Sequence, residues 1–344
     1  MHSTLFTIFG LPIRSYGLMM VVGFALGIWR AVRVSKKRYG IEPERVYDLA
    51  LVLLVGGILG ARVVYILLNP ATESWGSFFA VWQGGLSFHG GLACAMLFGL
   101  VYTRIAKLPY WTCGDLVAPS LAIGYAFTRI GCFLNGCCYG RPTDLPWGVR
   151  FPYRSYAYNS QINADPARGR TEPHLPLPAA EYAAFVDDEG RWYAMSLAEL
   201  TPPQRYEVTK GEYRCRPVHP TQLYASVNAL LLCAILYMFW RRSLGWPRVR
   251  EQRGWSRRPG FTTAAFLMLY GVTRFLLEFV RDDNPFEIAW LTISQILGLL
   301  LLAAGMILLA ALMLTKPSPI GQLRVVKQPE KPRRAGRASG KRLK

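Results

Sequence analysis

The chain has 344 residues, 52% of them hydrophobic, and a formal net charge of +19 at neutral pH. Seven mostly apolar runs, each close to the roughly 20 residues that a helix needs to cross a bilayer core, lie near residues 15–34, 47–68, 85–103, 112–131, 219–240, 261–280 and 290–314. Since a soluble protein of this length has one or two such runs in its core, the pattern excludes that class and predicts an all-α polytopic membrane protein with about seven transmembrane helices.

The basic residues are concentrated on one side of the predicted membrane. They cluster after the first, third, fifth and seventh runs, whereas the loops 69–84 and 280–289 contain Arg281 alone. The positive-inside rule therefore predicts an outer N-terminus and a cytoplasmic C-terminus. Positive charge follows the first run rather than preceding it, so we expect a retained helix and not a cleaved signal sequence. Topology and anionic lipid headgroups explain the charge, and we expect no nucleic-acid binding.

Composition divides the chain into four predicted parts. Residues 1–131 hold transmembrane helices 1–4, and residues 219–314 hold helices 5–7. Between them, residues 132–218 begin with a loop and continue into a stretch rich in Pro, Arg, Tyr and Glu, which predicts a small mixed head domain of short strands and turns on the outer face. The basic segment 315–344 has the composition of a disordered cytoplasmic tail.

Polar side chains inside transmembrane runs are energetically expensive and therefore point to function. Tyr16 opens the first run, His89 lies among four glycines at the outer end of the third, and Arg129 lies near the outer end of the fourth. A histidine can exchange a proton near neutral pH. A lone histidine is more often structural, but the four glycines around this one would let a substrate approach closely. Arg129 has no carboxylate close to it in sequence.

The sixth run carries a polar face. Tyr270, Arg274 and Glu278 are four residues apart, so they share one side of a helix. Arg274 and Glu278 could form a buried ion pair that only holds helices together. Arg129 and Arg274, however, would place two positive charges at membrane depth, which favours the binding of an anion. A lipid phosphate is such an anion, and two of its oxygens match the guanidinium fork. Arg62 is a further candidate for this network, as a partner of Asp115 or Glu278.

Seven stretches, in order, resemble one family. They read YGLMMVVGF, GARVVY, WQGGLSFHGGL, RIGCFLNGCCYG, HPTQLY, YGVTRFLLEFVRDD and SQILGL. The chain resembles the prolipoprotein diacylglyceryl transferases of the bacterial inner membrane. The resemblance implies transfer of the diacylglyceryl group of phosphatidylglycerol to a lipobox cysteine of a prolipoprotein, with release of glycerol phosphate and without metal or soluble cofactor. Its implied partners are phosphatidylglycerol, prolipoproteins and membrane lipids.

The resemblance also implies roles for individual residues. His89 would be the base that takes the proton of the substrate thiol, Arg129 would hold the lipid phosphate, and Arg274 would stabilise the departing glycerol phosphate. Glu278 would orient Arg274. The remaining residues that match the family pattern, and are expected to contact substrate, are Tyr16, Asn135, Gly140 and Tyr270.

Three cysteines interrupt the most informative stretch. Cys132 stands where the family usually has asparagine and Cys137 where it has glutamate, with Cys138 next to it. A structural disulfide, free thiols without a role, and a redox or metal function all remain open, with Cys215 as a fourth candidate partner. No fourth ligand is evident, so zinc is not expected. Because the cysteines replace residues of the family pattern, two other functions stay open besides the transferase. One is a non-catalytic lipid- or lipoprotein-binding paralogue, and the other is a membrane thiol oxidoreductase.

Overall fold

The computed structural model describes residues 4–8, 11–38, 41–70, 75–79, 85–187, 190–243, 258–287 and 290–315. In chain order its strands and α-helices are β1 (Thr4–Ile8), β2 (Leu11–Arg14), α1 (Ser15–Arg38), α2 (Pro43–Leu68), α3 (Phe88–Ile105), α4 (Tyr110–Asn135), α5 (Tyr156–Gln161), α6 (Ala179–Tyr182), β3 (Ala183–Val186), β4 (Trp192–Ala194), α7 (Pro202–Thr209), α8 (Thr221–Ser243), α9 (Phe261–Glu278) and α10 (Ile293–Leu314). Strands β1 and β2 pair antiparallel, as do β3 and β4. The predicted tail, from residue 316 onward, lies outside the described residues.

Each of the seven apolar runs contains a long helix, so the prediction of an all-α polytopic membrane protein is confirmed. Among the described residues, six helices are long and apolar enough to cross a membrane: α1, α2, α3, α4, α8 and α10. Helix α9 is not one of the six. It has 18 residues and carries Arg274 and Glu278, which lower its hydropathy. A seventh crossing and the orientation of the bundle stay predictions.

Glycine contacts bring the long helices together in pairs. Helix α1 packs on α4, α2 on α3, and α9 on α10. A Cβ added to Gly60 would lie 2.6 Å from the carbonyl oxygen of Gly90, and one added to Gly271 would lie 2.5 Å from that of Gly298. Helices approach this closely in membranes because dispersion contacts, rather than a hydrophobic driving force, hold them together. The outward surface is apolar, and in α10 the buried residues are Gln295, Gly298 and Gly305.

The segment between α4 and α8 forms a head with its own apolar core. Its buried hydrophobic residues are Tyr139, Phe151, Ala157, Tyr158, Ile162, Leu175, Leu177, Tyr182, Ala194, Leu200, Val208, Cys215 and Val218. Val218 bridges to Pro142 and to Val149, so the two ends of the head close on each other. The head therefore lies over the ends of the helices that flank it.

Candidate functional site

The start of α1 and the ends of α4 and α9 meet beneath the head. A Cβ on Gly131 would lie 3.1 Å from Cα of Tyr16, so the first turn of α1 packs directly on the last turns of α4. The chain after α4 pairs with the chain after α9, because Gly140 and Arg281 form an antiparallel bridge. The N–H of Asp282 donates to the carbonyl of Tyr139 at 3.2 Å, and that of Arg141 to Val280 at 2.9 Å. Residues far apart in sequence thus share one end of the bundle.

The guanidinium of Arg129 packs on an aromatic ring, and no carboxylate of the described residues pairs with it. Its guanidinium carbon lies 4.7 Å from the ring centroid of Tyr125. The Tyr125 ring in turn packs edge-on against Tyr270 at 5.4 Å, which brings α4 and the polar face of α9 together. The Nε atom of Arg129 is buried without a hydrogen-bond partner, and among the described residues the guanidinium forms no ion pair. This cation is available to an anion from outside the chain.

Arg274 and Glu278 form the ion pair that their spacing predicts. Nη1 of Arg274 donates to Oε2 of Glu278 at 2.5 Å, and Nη2 donates to the hydroxyl of Ser294 on α10. Glu278 is 2% exposed and also accepts from Nδ2 of Asn284 at 2.6 Å. Arg281 lies 3.8 Å from the same carboxylate. Glu278 therefore fixes Arg274 and links α9 to the chain that follows it.

The four residues after Val280 form a charged connection to the head that sequence reasoning did not single out. Arg281 makes a bidentate pair with Asp283, at 2.8 and 2.6 Å. Burial opposes its charge, but this pair raises the pKa of Arg281 above its ordinary value. Asp282 pairs with Arg170 at 3.0 Å and contacts Arg168 at 3.5 Å, both in the head. In the sequence, the stretch VRDDN places four charged or amide side chains in a row, and this cluster could have pointed to the connection.

The three cysteines come together at the end of α4. The Sγ atoms of Cys132, Cys137 and Cys138 all lie within 4.8 Å of one another. All seven cysteines are free thiols in the structure, and a disulfide within the cluster stays one of the open alternatives. Cys215 lies in the core of the head, 3.6 Å from Oε1 of Gln161. Hydrogen bonding from Cys132 and Cys137, with the charge of Arg281, lowers the pKa of the Cys138 thiol.

Asn135 and Gly140 lie on the loop side of the site. Asn135 lines a polar cavity of about 550 Å³ whose wall includes Arg14, Tyr153 and Arg154. A Cβ on Gly140 would lie 2.6 Å from the carbonyl oxygen of His219, so this position needs glycine for backbone packing. Substrate contact at both residues stays a prediction.

His89 occupies the first turn of α3, where the side chain of the N-cap residue Ser87 accepts from the Gly90 N–H at 3.4 Å. The imidazole is exposed and packs edge-on against Phe88 at 5.6 Å. It forms no hydrogen bond with the described part of the chain, and α3 packs mainly on α2. Among the described residues no hydrogen bond joins His89 to Arg129 or Arg274.

Arg62 does not join the network as expected. Its Nη1 donates to the carbonyl of Gly85 at 3.0 Å. Asp115 instead accepts from the N–H groups of Gly260 and Thr263, at 2.7 and 2.8 Å, and thereby caps the N-terminus of α9. Pairing of Arg62 with Asp115 or Glu278 is wrong, because both carboxylates are satisfied by α9 and the residues beside it.

These features define a class of protein. It is a multi-pass helical membrane protein in which fixed arginines lie beneath a small head. A sequence model of the family described as prolipoprotein diacylglyceryl transferase matches residues 3–311. The chain belongs to this family.

Several relatives carry the name phosphatidylglycerol–prolipoprotein diacylglyceryl transferase. The one from Nitratidesulfovibrio vulgaris is 30% identical over 308 residues, covering 87% of this chain and 89% of the relative. The one from Xanthomonas euvesicatoria pv. vesicatoria is also 30% identical, covering 89% of each chain. The relative from Nostoc sp. is 28% identical, covering 89% and 87%.

Proposed function

We propose that this protein transfers the diacylglyceryl group of phosphatidylglycerol to the cysteine thiol of a prolipoprotein lipobox. The thiol sulfur would attack the glycerol carbon next to the phosphate and form a thioether. The C–O bond would break, and its electron pair would leave with the phosphate oxygen of glycerol phosphate. Family membership and the names of the relatives support this reaction, and Arg129 is the observation that carries it.

Arg129 would bind the phosphate of the lipid. A permanently charged group at membrane depth is costly unless it is paired, yet this guanidinium has a buried Nε without a hydrogen-bond partner and packs on the ring of Tyr125. Its planar fork fits two phosphate oxygens, and charge-assisted bonds of this kind are about twice as strong as neutral ones. The phosphate of a lipid is the anion that membrane depth makes available to it.

Arg274 would stabilise the charge that gathers on the departing glycerol phosphate. Glu278 and Ser294 engage two of its five N–H donors and fix its plane. The remaining donors would face the substrate without reorganising during the reaction, which is how preorganised charge lowers a barrier. The ring of Tyr270, packed on Tyr125, would lie between the two arginines and supply a phenol to the headgroup.

His89 would take the proton of the attacking thiol. Its exposed ring, without a hydrogen bond to the described residues, would be open to a substrate. A free thiol titrates near pH 8.5, so a positioned imidazole would increase the reactive thiolate fraction near neutral pH. The bound lipid and the lipobox segment would connect His89 to the two arginines.

The setting that follows is the bacterial inner membrane, with the head and the arginine site at the outer face. The N-terminus would lie outside and the C-terminus in the cytoplasm, as the distribution of Lys and Arg predicts. The partners would be phosphatidylglycerol, the lipobox segments of prolipoproteins and the surrounding lipids, and not nucleic acid.

The experiment is mass spectrometry of a lipobox-cysteine peptide after incubation with the purified protein and vesicles containing phosphatidylglycerol. We expect a diacylglyceryl mass increment with the wild type and a loss of at least about 100-fold with Arg129→Ala. Arg129→Lys keeps the charge but not the fork, so we expect partial activity. Arg104→Ala, at an exposed position in the last turn of α3, is the matched control and should retain activity.

The outcomes separate the three readings of the sequence. No increment with the wild type, although labelled phosphatidylglycerol binds and Arg129→Ala abolishes that binding, would identify a non-catalytic lipid-binding paralogue. An increment that Arg129→Ala does not reduce would contradict the role of Arg129 given above. No increment and no binding of phosphatidylglycerol, together with reversible oxidation of Cys137 and Cys138, would identify a thiol oxidoreductase.

A further inference from the structure

The turn that ends α4 brings the thiols of Cys132, Cys137 and Cys138 together. Gly136 adopts φ 79° and ends the helix, and the N–H of Cys137 then donates back to the carbonyl of Cys132 at 3.2 Å. Sγ of Cys137 lies 3.8 Å from the same carbonyl oxygen. The turn therefore folds Cys137 over the last turn of α4, where Cys132 is 4% exposed.

The backbone at Cys138 is held in an unusual conformation that completes the cluster. Successive side chains of an extended chain point in opposite directions, but here the Sγ atoms of Cys137 and Cys138 both lie within 4.8 Å of Cys132. Cys138 has φ 60°, in the left-handed region that a residue with a Cβ seldom adopts. Buried side chains at the start of α8 hold this turn in place: Thr221 donates to the carbonyl of Cys138 and Gln222 to that of Cys137, each at 2.7 Å.

We propose that Cys132, Cys137 and Cys138 form a binding site for one soft, thiophilic metal ion, and that Cu(I) is its best match. This inference goes beyond the proposed transfer reaction and does not depend on it. Three thiolates in one plane at about 2.3 Å from one ion lie roughly 4.0 Å from each other. The observed upper limit of 4.8 Å is about 0.8 Å longer, which small side-chain rotations would close.

The number and type of ligands favour Cu(I) over zinc. Among the described residues no histidine, carboxylate or fourth cysteine joins the three thiols. Structural zinc is almost always four-coordinate, whereas soft thiolate ligands select Cu(I), which is satisfied by three. Binding would displace three thiol protons. The guanidinium of Arg281, on the chain that bridges to Gly140, would stabilise the anionic complex.

The test is anaerobic titration of the detergent-purified, reduced protein with Cu(I) against a chromophoric Cu(I) chelator. We expect one equivalent per chain to be withdrawn from the chelator. Cys137→Ser and Cys138→Ser should each weaken binding by at least the 10- to 100-fold that loss of an outer-shell contact costs. Cys233→Ser, which removes an isolated half-buried thiol of α8, is the matched control and should not change the affinity.

A second measurement needs no variant. Cysteine alkylation mapped by mass spectrometry should show Cys137 and Cys138 protected by one equivalent of Cu(I), while Cys94 reacts as before. Equal affinity in Cys137→Ser and Cys233→Ser would overturn the proposal, and so would unchanged alkylation of Cys137 and Cys138 by the metal. Preference for Zn(II) over Cu(I) at this site would overturn the assignment of the ion.

Discussion

Removing the Glu278 carboxylate should destabilise the protein strongly. Glu278 accepts from Arg274 at 2.5 Å and from Asn284 at 2.6 Å, and both members of the ion pair are buried. Glu278→Ala would leave the Arg274 guanidinium, 7% exposed, without its counter-charge. Breaking a buried pair by removing one partner costs about 3–5 kcal/mol, because the remaining charge is neither paired nor hydrated.

A double substitution separates stability from activity. Arg274→Met with Glu278→Leu removes both charges and fills the space with apolar side chains, and such replacements are neutral or stabilising. We expect the double variant to recover most of the stability that Glu278→Ala loses. Diacylglyceryl transfer should nevertheless fall by at least about 100-fold, because the stabilising guanidinium is gone.

The assay for stability is unfolding in detergent micelles by added SDS, followed by far-ultraviolet circular dichroism. Transfer to the lipobox peptide is measured on the same samples. Arg191→Ala is the control, since it removes the exposed guanidinium of an i,i+4 pair with Asp187 in the head. We expect it to change the free energy of unfolding by less than about 1 kcal/mol.

Two results would refute this reasoning. A loss below about 1 kcal/mol in Glu278→Ala would mean that the carboxylate does not hold Arg274. Full transfer activity in the double variant would mean that the pair only joins helices and takes no part in the reaction.

Three further outcomes can be checked by the same assays. Gly140→Ala should lower the free energy of unfolding by about 1–3 kcal/mol, because the new Cβ would lie 2.6 Å from the carbonyl oxygen of His219. Gly124→Ala is its control and should be tolerated, because a Cβ there meets nothing within 4 Å. Asp115→Ala should cost about 1–3 kcal/mol by leaving N–H groups at the N-terminus of α9 unpaired, with Asp115→Asn recovering part of the loss. Cys138→Ala should leave transfer largely intact, and an abolished increment would place its thiol in the chemistry.

Features that depend on a single helix could be predicted from the sequence. The bilayer fixes how long and how apolar a span must be, so seven helices appear where the runs predicted them, with ends that differ by a few residues. The pairing of Arg274 with Glu278 also follows from one helix, because residues four apart share a face. The family resemblance came from short stretches whose order could be read directly, and the match over residues 3–311 confirms it.

Contacts between distant segments could not be read in this way. Asp115 caps α9 across 145 positions of sequence, so its carboxylate is engaged by backbone N–H groups of that helix. Asp282 joins the head through Arg170, 112 positions away. No periodicity encodes such pairs, because they depend on how helices dock and not on any one helix.

The sequence by itself determined the spans, the polar face of α9 and the position of Arg129 near the end of α4, since each depends on a helix repeat and a membrane thickness. Tertiary structure decided what surrounds them. In the described part of the chain it placed Arg129 over the ring of Tyr125 without an ion pair, exposed the ring of His89 at the start of α3, and brought the three cysteine sulfurs within 4.8 Å of one another. The physical reason is that charge and thiol chemistry act over a few ångströms, and those distances are set only when helices and head pack together.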